Sequence, residues 1–167
     1  MNPVIAAAVL GGLGLVFGSF IAAVSVRLPG GTSVVGGRSR CMACEQPLRA
    51  WELVPLFSWL ALRGRCARCA APISRRYPLI ELGALSVGVW AGLASPGWGM
   101  AIATAVLGWQ LLLIALVDGE HFWLPDALTW PRAVGGVVAA GMLHGWMGAV
   151  WSGVGLGVGF ASLWLIG

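Results

Sequence analysis

The chain has 167 residues, of which 59% are hydrophobic and only 10% charged, and its mean hydropathy is +0.88. So few charges cannot cover the surface of a soluble globular domain, so the composition predicts a membrane protein. The same composition excludes disordered chains, collagen-like chains, nucleic-acid-binding proteins and secreted disulfide scaffolds.

Long uncharged stretches locate the predicted membrane spans. Three stretches contain no Asp, Glu, Lys or Arg: residues 1–26, 82–117 and 133–167. Each can hold at least one helix, because a crossing needs roughly 20 apolar residues for about 30 Å of hydrocarbon. The first stretch lacks the basic start of a signal peptide, so we interpret it as a permanent span. We predict about five spans, near residues 4–26, 79–95, 100–117, 127–143 and 149–167.

The arginines predict the orientation of these spans. All ten basic residues are arginines, nine of them between Arg27 and Arg76 and the tenth at Arg132. With five spans all ten fall on one face, and positive charge marks the cytoplasmic face. The predicted organisation is a first helix at 1–26, a cytoplasmic cysteine loop at 27–78 and a bundle at 79–167.

Small residues recur at helical spacing within the spans. Gly14 and Gly18 form a small-xxx-small pair, as do Gly153 and Gly157. Such spacing lets helix backbones approach closely, either in a dimer interface or inside one bundle, and we favour the bundle.

The loop contains two CxxC pairs with 21 residues between them. This spacing is typical of a zinc ribbon, in which two knuckles complete a closed tetrathiolate site that folds a small loop. Disulfides or a redox pair are the alternative, although a reducing cytoplasm disfavours them. The predicted ligands are Cys41, Cys44, Cys66 and Cys69.

Asp118 and Asp126 are the only aspartates of the chain. Asp118 ends the third predicted span and opens a polar loop, so it is either a functional carboxylate or a marker of the membrane boundary. Asp126 follows Leu-Pro and precedes an apolar run, which favours a helix cap.

Glu81, just inside the second span, is expected to be interfacial or paired with Arg75 or Arg76. His121 has no assigned chemistry.

Four motifs in order resemble the bacterial type IV prepilin peptidases, which are membrane aspartic peptidases and N-methyltransferases. Residues 18–29 resemble the first-span signature of that family, and residues 53–60 its linking segment. Residues 63–81 are similar to its second cysteine motif, and residues 118–126 to the segment that carries its first catalytic aspartate. The resemblance extends over about residues 18–129.

The resemblance implies an activity, a location and a set of partners. Asp118 would be one of two catalytic aspartates that cleave type IV prepilin or type II secretion pseudopilin leaders after a glycine. S-adenosylmethionine would then methylate the new N-terminus, with Glu81 as a candidate cofactor-binding residue and zinc as a structural ion. The protein would lie in the bacterial inner membrane, with the cysteine loop and Asp118 facing the cytoplasm and arginines contacting anionic lipid.

The family's second catalytic aspartate lies in a GxGD motif, and no aspartate follows Asp126 here. The chain is therefore expected to lack the C-terminal part of the family. A non-catalytic membrane scaffold that binds a pilin or an assembly partner through the zinc loop is the alternative function, and a small-solute transporter is a weaker one.

Overall fold

The computed structural model describes residues 1–27 and 39–121, together with 134–138, 141, 145–147, 150 and 153–154. Chain contacts define two compact units, Met1–Phe122 and Trp123–Gly167. The fold and the site described below belong to the first unit. The predicted fourth and fifth spans fall mostly outside the described residues, as do Asp126 and Arg132.

The first unit is all helical. Three helices are long and apolar enough to cross a membrane: α1 (Pro3–Arg27), α3 (Arg76–Ala94) and α4 (Trp98–His121). Between α1 and α3 lie a 3₁₀ helix (Ala50–Leu53) and the short helix α2 (Phe57–Ala61). The described part of the chain therefore confirms an all-α, multi-pass membrane protein, with no strand within it longer than an isolated bridge.

Local signals set the ends of the spanning helices. The side chain of Asn2 accepts the N–H of Val4 at 3.0 Å, so it caps the start of α1. At the start of α3 the Ser74 hydroxyl accepts the N–H of Arg76 at 3.2 Å. The helix ends at Ala94 because Pro96, two residues on, disfavours continuation.

Glycines bring α1 and α3 into backbone contact. A methyl group on Gly18 would lie 2.7 Å from the Cα of Glu81, and one on Gly14 would collide with the carbonyl oxygen of Ala84. From α3, Gly88 faces the carbonyl of Leu10 in the same way. The contacts run in opposite chain directions, so the helices are antiparallel. This finding supports bundle packing for the Gly14 and Gly18 pair.

Helix α4 completes the three-helix core through Trp109. Its indole N–H donates to the carbonyl of Ala84 at 2.8 Å. Its ring stacks on Phe17 of α1, with the centroids 4.7 Å apart. Because Trp109 is buried and its polar atom is satisfied, it holds α4 against both α1 and α3.

Candidate functional site

The two CxxC pairs form two knuckles of the same design. In each, the N–H of the first cysteine donates to a carbonyl five residues on: Cys41 to Gln46 at 3.0 Å and Cys66 to Ala71 at 2.9 Å. The residue after the second cysteine is left-handed in both knuckles, with φ of 55° at Glu45 and 56° at Ala70. Each turn thereby brings its two sulfurs to the same side.

The four sulfurs meet at one point. The Sγ atoms of Cys41, Cys44, Cys66 and Cys69 all lie within 4.8 Å of one another. The Sγ atoms of Cys41 and Cys69 are 3.8 Å apart, and all four are free cysteines. Tetrahedral ligands at a metal–sulfur distance of about 2.3 Å are separated by about 3.8 Å. The donor set and its spacing therefore fit a tetrathiolate metal site and do not form the disulfides considered above.

The ionisation of the four thiols also favours the binding of a cation between them. Backbone N–H groups of Cys44 and Ala43 lower the pKa of Cys41 to about 6. At Cys69 the N–H of Ala71 acts in the same direction, but desolvation and the neighbouring thiols outweigh it and raise the pKa to about 11. Adjacent thiolates repel one another, so they cannot all ionise at neutral pH without a positive charge at their centre.

Two side-chain hydrogen bonds stabilise the loop around the sulfurs. Arg68 of the second knuckle donates to the amide oxygen of Gln46 in the first at 2.9 Å. The indole N–H of Trp59, on α2, donates to the carbonyl of Ile73 at 3.2 Å, and its ring covers Gly64. The loop is therefore one folded unit around the sulfurs.

Glu81 connects this loop to the membrane bundle. Its carboxylate is buried on α3 and accepts the N–H of Leu56 at 2.6 Å. Leu56 precedes α2 and has a φ of 61°, an unfavourable conformation for leucine that this hydrogen bond helps to hold. An ion pair of Glu81 with Arg75 or Arg76 is not seen among the described residues, where Arg76 pairs with Glu120. The alternative expectation, an interfacial position just inside the span, stays a prediction.

Arg76 joins the ends of three helices. Its Nη2 donates to the hydroxyl of Ser25 on α1 at 2.9 Å and to the carboxylate of Glu120 on α4 at 2.6 Å. We did not predict this cluster from the sequence. The available signal was an arginine at the start of one span and a glutamate at the end of another, which can meet when both ends lie on the same face.

Asp118 lies on the last turn of α4 and its side chain is exposed. Helix α4 continues beyond Val117, the expected end of the third span, through Asp118 and Glu120 to His121. Arg76 offsets the charge of Glu120, which lets the helix extend beyond the apolar stretch. Within the described residues no hydrogen bond or ion pair of Asp118 is found.

The structure thus brings the four predicted cysteine ligands together and places Glu81 and Asp118 on separate helices. Comparison with known proteins then identifies the architecture. Residues 13–94 match the family model of the bacterial peptidase A24 N-terminal domain. Residues 13–94 of this chain are therefore similar to a domain of the A24 family, and that match covers about half of the chain. The match begins within α1 and ends at the last residue of α3, so it includes both cysteine pairs.

Several curated proteins named prepilin leader peptidase/N-methyltransferase are similar to this chain. The protein of Stutzerimonas stutzeri is 40% identical over 133 residues, which cover 77% of this chain and 44% of the relative. That of Aeromonas hydrophila is 44% identical over 129 residues, 76% of this chain and 43% of the relative. The Myxococcus xanthus protein is 42% identical over 129 residues, which cover 77% of this chain and 38% of the relative.

The aligned region therefore spans less than half the length of these relatives. No solved structure matches the chain.

Proposed function

We propose that this chain acts as a prepilin leader peptidase and N-methyltransferase, with Asp118 as one catalytic carboxylate. The observation that carries the proposal is the 40% to 44% identity to proteins of that name over about three quarters of the chain. The exposed carboxylate at the end of α4 adds a chemical group suited to the reaction. The substrates would be type IV prepilins or type II secretion pseudopilins.

The proposed cleavage uses two carboxyl groups. In an aspartic peptidase the ionised carboxylate takes a proton from water, and the water attacks the scissile carbonyl while the protonated carboxyl donates to its oxygen. Asp118 supplies one of these groups at the membrane surface, where a leader leaves the apolar helix of its precursor. The second carboxyl is not assigned, because no aspartate follows Asp126 in this sequence.

For the cysteine cluster we propose zinc. Four sulfur donors around one point are typical of structural zinc, and such a site has no open position for substrate. When bound, the ion would supply the positive charge that lets all four thiols ionise. Cys41, Cys44, Cys66 and Cys69 would hold it, and Arg40 and Arg65, both exposed beside the knuckles, would offset the remaining negative charge.

For the methylation step we propose S-adenosylmethionine as the methyl donor, with Glu81 as a candidate contact. Glu81 already binds the main chain of the loop through one carboxylate oxygen. The Ser19 side chain also hydrogen-bonds to this carboxylate. A carboxylate has several acceptor positions, so Glu81 can take a further donor beside these two. We place the protein in the inner membrane, with the arginine-bearing face toward the cytoplasm.

A leader-cleavage assay tests the catalytic assignment. Membranes containing the chain, Asp118→Asn or Glu120→Gln are incubated with a prepilin, and each protein is tested both as these 167 residues and as any longer reading frame that contains them. We expect Asp118→Asn to abolish cleavage. Glu120→Gln removes the other carboxylate on the same helical turn, which is bonded to Arg76, and should lower cleavage only in part. Equal cleavage by Asp118→Asn and the unmodified chain would remove Asp118 from the mechanism.

A further inference from the structure

The segment between the two knuckles exposes a row of large apolar side chains. The exposed fractions are 48% for Trp51, 43% for Val54, 64% for Phe57 and 56% for Leu60. Trp51 lies in the 3₁₀ helix, Val54 follows the end of that helix, and Phe57 and Leu60 lie on α2. Phe57 and Leu60 are three residues apart on one helix, so their side chains share a face. Glu52, the charged residue of this segment, is buried and accepts the N–H of Arg49 at 2.6 Å.

The hydrogen bond to Glu81 fixes the position of this segment along the membrane bundle. Glu81 is five residues into α3, which places its Cα about 7–8 Å from the first residue, Arg76. On α1 the Cα of Glu81 faces Gly18, which is about 10 Å from Ser25 at the helical rise. The Arg76, Ser25 and Glu120 cluster marks the polar end of the bundle. Leu56 is bonded to the side chain of Glu81, so it lies within about two helical turns of that end.

This depth is that of the bilayer interface. Interfacial helices lie with their apolar side about 5–10 Å into the boundary between headgroups and acyl chains. Leu79 and Leu82, which flank Glu81 on α3, are also exposed. An apolar surface at this level of a membrane bundle faces lipid.

The charges around the row have the sign that lipid binding needs. Arg49 precedes Trp51 and Arg63 follows Leu60, and both arginines are exposed. Long arginine side chains can reach headgroups while their stems stay in the apolar region. Anionic lipids attract such residues.

We propose that residues 51–60 form an interfacial membrane anchor, which inserts Trp51, Val54, Phe57 and Leu60 into the leaflet at the arginine-bearing face. The anchor holds the cysteine knuckles against the bilayer. This anchoring does not depend on whether the chain cleaves prepilins.

Photo-crosslinking in nanodiscs of phosphatidylethanolamine and phosphatidylglycerol tests the anchor. The full chain carries p-benzoylphenylalanine at position 57 or 60, and adducts are identified by mass spectrometry. Ile102, exposed on α4, is the lipid-facing reference site. Met42, which is 85% exposed on the first knuckle, is the matched site outside the row. Metal content per chain confirms that each variant retains a folded loop.

We expect lipid adducts at positions 57 and 60 to approach those at 102 and to exceed those at 42 several-fold. Adducts at 57 and 60 no higher than at 42, with 102 labelled, would overturn the proposal. A prepilin added to the nanodiscs should leave the lipid adducts in place. Their replacement by prepilin adducts would instead identify the row as a substrate-docking surface.

Discussion

The guanidinium of Arg76, at the start of α3, lies 2.6 Å from the carboxylate of Glu120 in the last turn of α4. The same nitrogen donates to Ser25 of α1 at 2.9 Å. The three helix ends that carry this cluster therefore meet at one face of the bundle. Asp118 lies on the same turn of α4 as Glu120, so the cluster also fixes the helix end that presents the proposed catalytic carboxylate.

Replacing Arg76 should weaken this junction. We expect Arg76→Gln to lower the free energy of unfolding by about 1–2 kcal/mol, because it loses hydrogen bonds from a charged donor to two helices. Glu120→Gln should cost less, about 0.2–1 kcal/mol, since the pair is partly exposed and water screens it. Unfolding in mixed detergent micelles measures both variants and the double variant. Full additivity of the two substitutions would show that the pair makes no energetic contribution.

Backbone contact between α1 and α3 predicts that alanine substitutions at neighbouring glycines differ strongly in their effect on stability. Gly14→Ala places a methyl group against the carbonyl of Ala84, whereas one at Gly12 meets no atom within 4 Å. We expect Gly14→Ala to destabilise the bundle by about 1–3 kcal/mol, the usual cost of overpacking. Gly12→Ala should be neutral or slightly stabilising. The same unfolding assay compares them, and equal stability of the two variants would contradict the antiparallel packing described here.

The sulfur cluster predicts one bound metal ion per chain. Purified protein should contain about one zinc per chain by elemental analysis, as four thiolates fill a tetrahedral site. Cys41→Ser should lose the ion and make the loop sensitive to protease, with the helical content of the bundle retained. Met42→Ser, on the same knuckle, should keep it. Intramolecular disulfides in protein prepared without oxidant, together with no metal, would contradict the site.

Two roles of Glu81 can be separated by experiment. Glu81→Ala removes the acceptor of the Leu56 N–H, so we expect faster hydrogen exchange at Leu56 and around α2. Glu81→Gln keeps an acceptor oxygen and should preserve protection there. If Glu81 also contacts S-adenosylmethionine through its charge, Glu81→Gln will lower methylation without changing exchange. Unchanged exchange in Glu81→Ala would show that the hydrogen bond does not hold the loop.

Some of this architecture could be predicted from the sequence because the signals are local. The uncharged runs located α1, α3 and α4, and the two CxxC pairs located a cluster of four cysteines that share one loop. The contacts that link distant segments were not predictable. Glu81 meets Leu56 across 25 residues of chain, and Arg76 meets Glu120 across 44.

These distant contacts also explain why α4 is longer than the span predicted from hydropathy. Hydropathy ends the third span at Val117, because the residues after it are polar. The helix continues to His121 since Arg76 neutralises Glu120, a partner that no local pattern shows. The exposed apolar row between the cysteine pairs is likewise visible only once the buried Glu52 and the loop around it are in place.

The most direct test of the proposed function is the N-terminus of a processed pilin. A prepilin is incubated with membranes that contain the chain, with S-adenosylmethionine present, and the product is sequenced by mass spectrometry. We predict that the leader is removed after its glycine and that the new N-terminal residue carries one methyl group. An intact leader with every form of the chain, including any longer reading frame, would contradict the peptidase account and favour a non-catalytic scaffold.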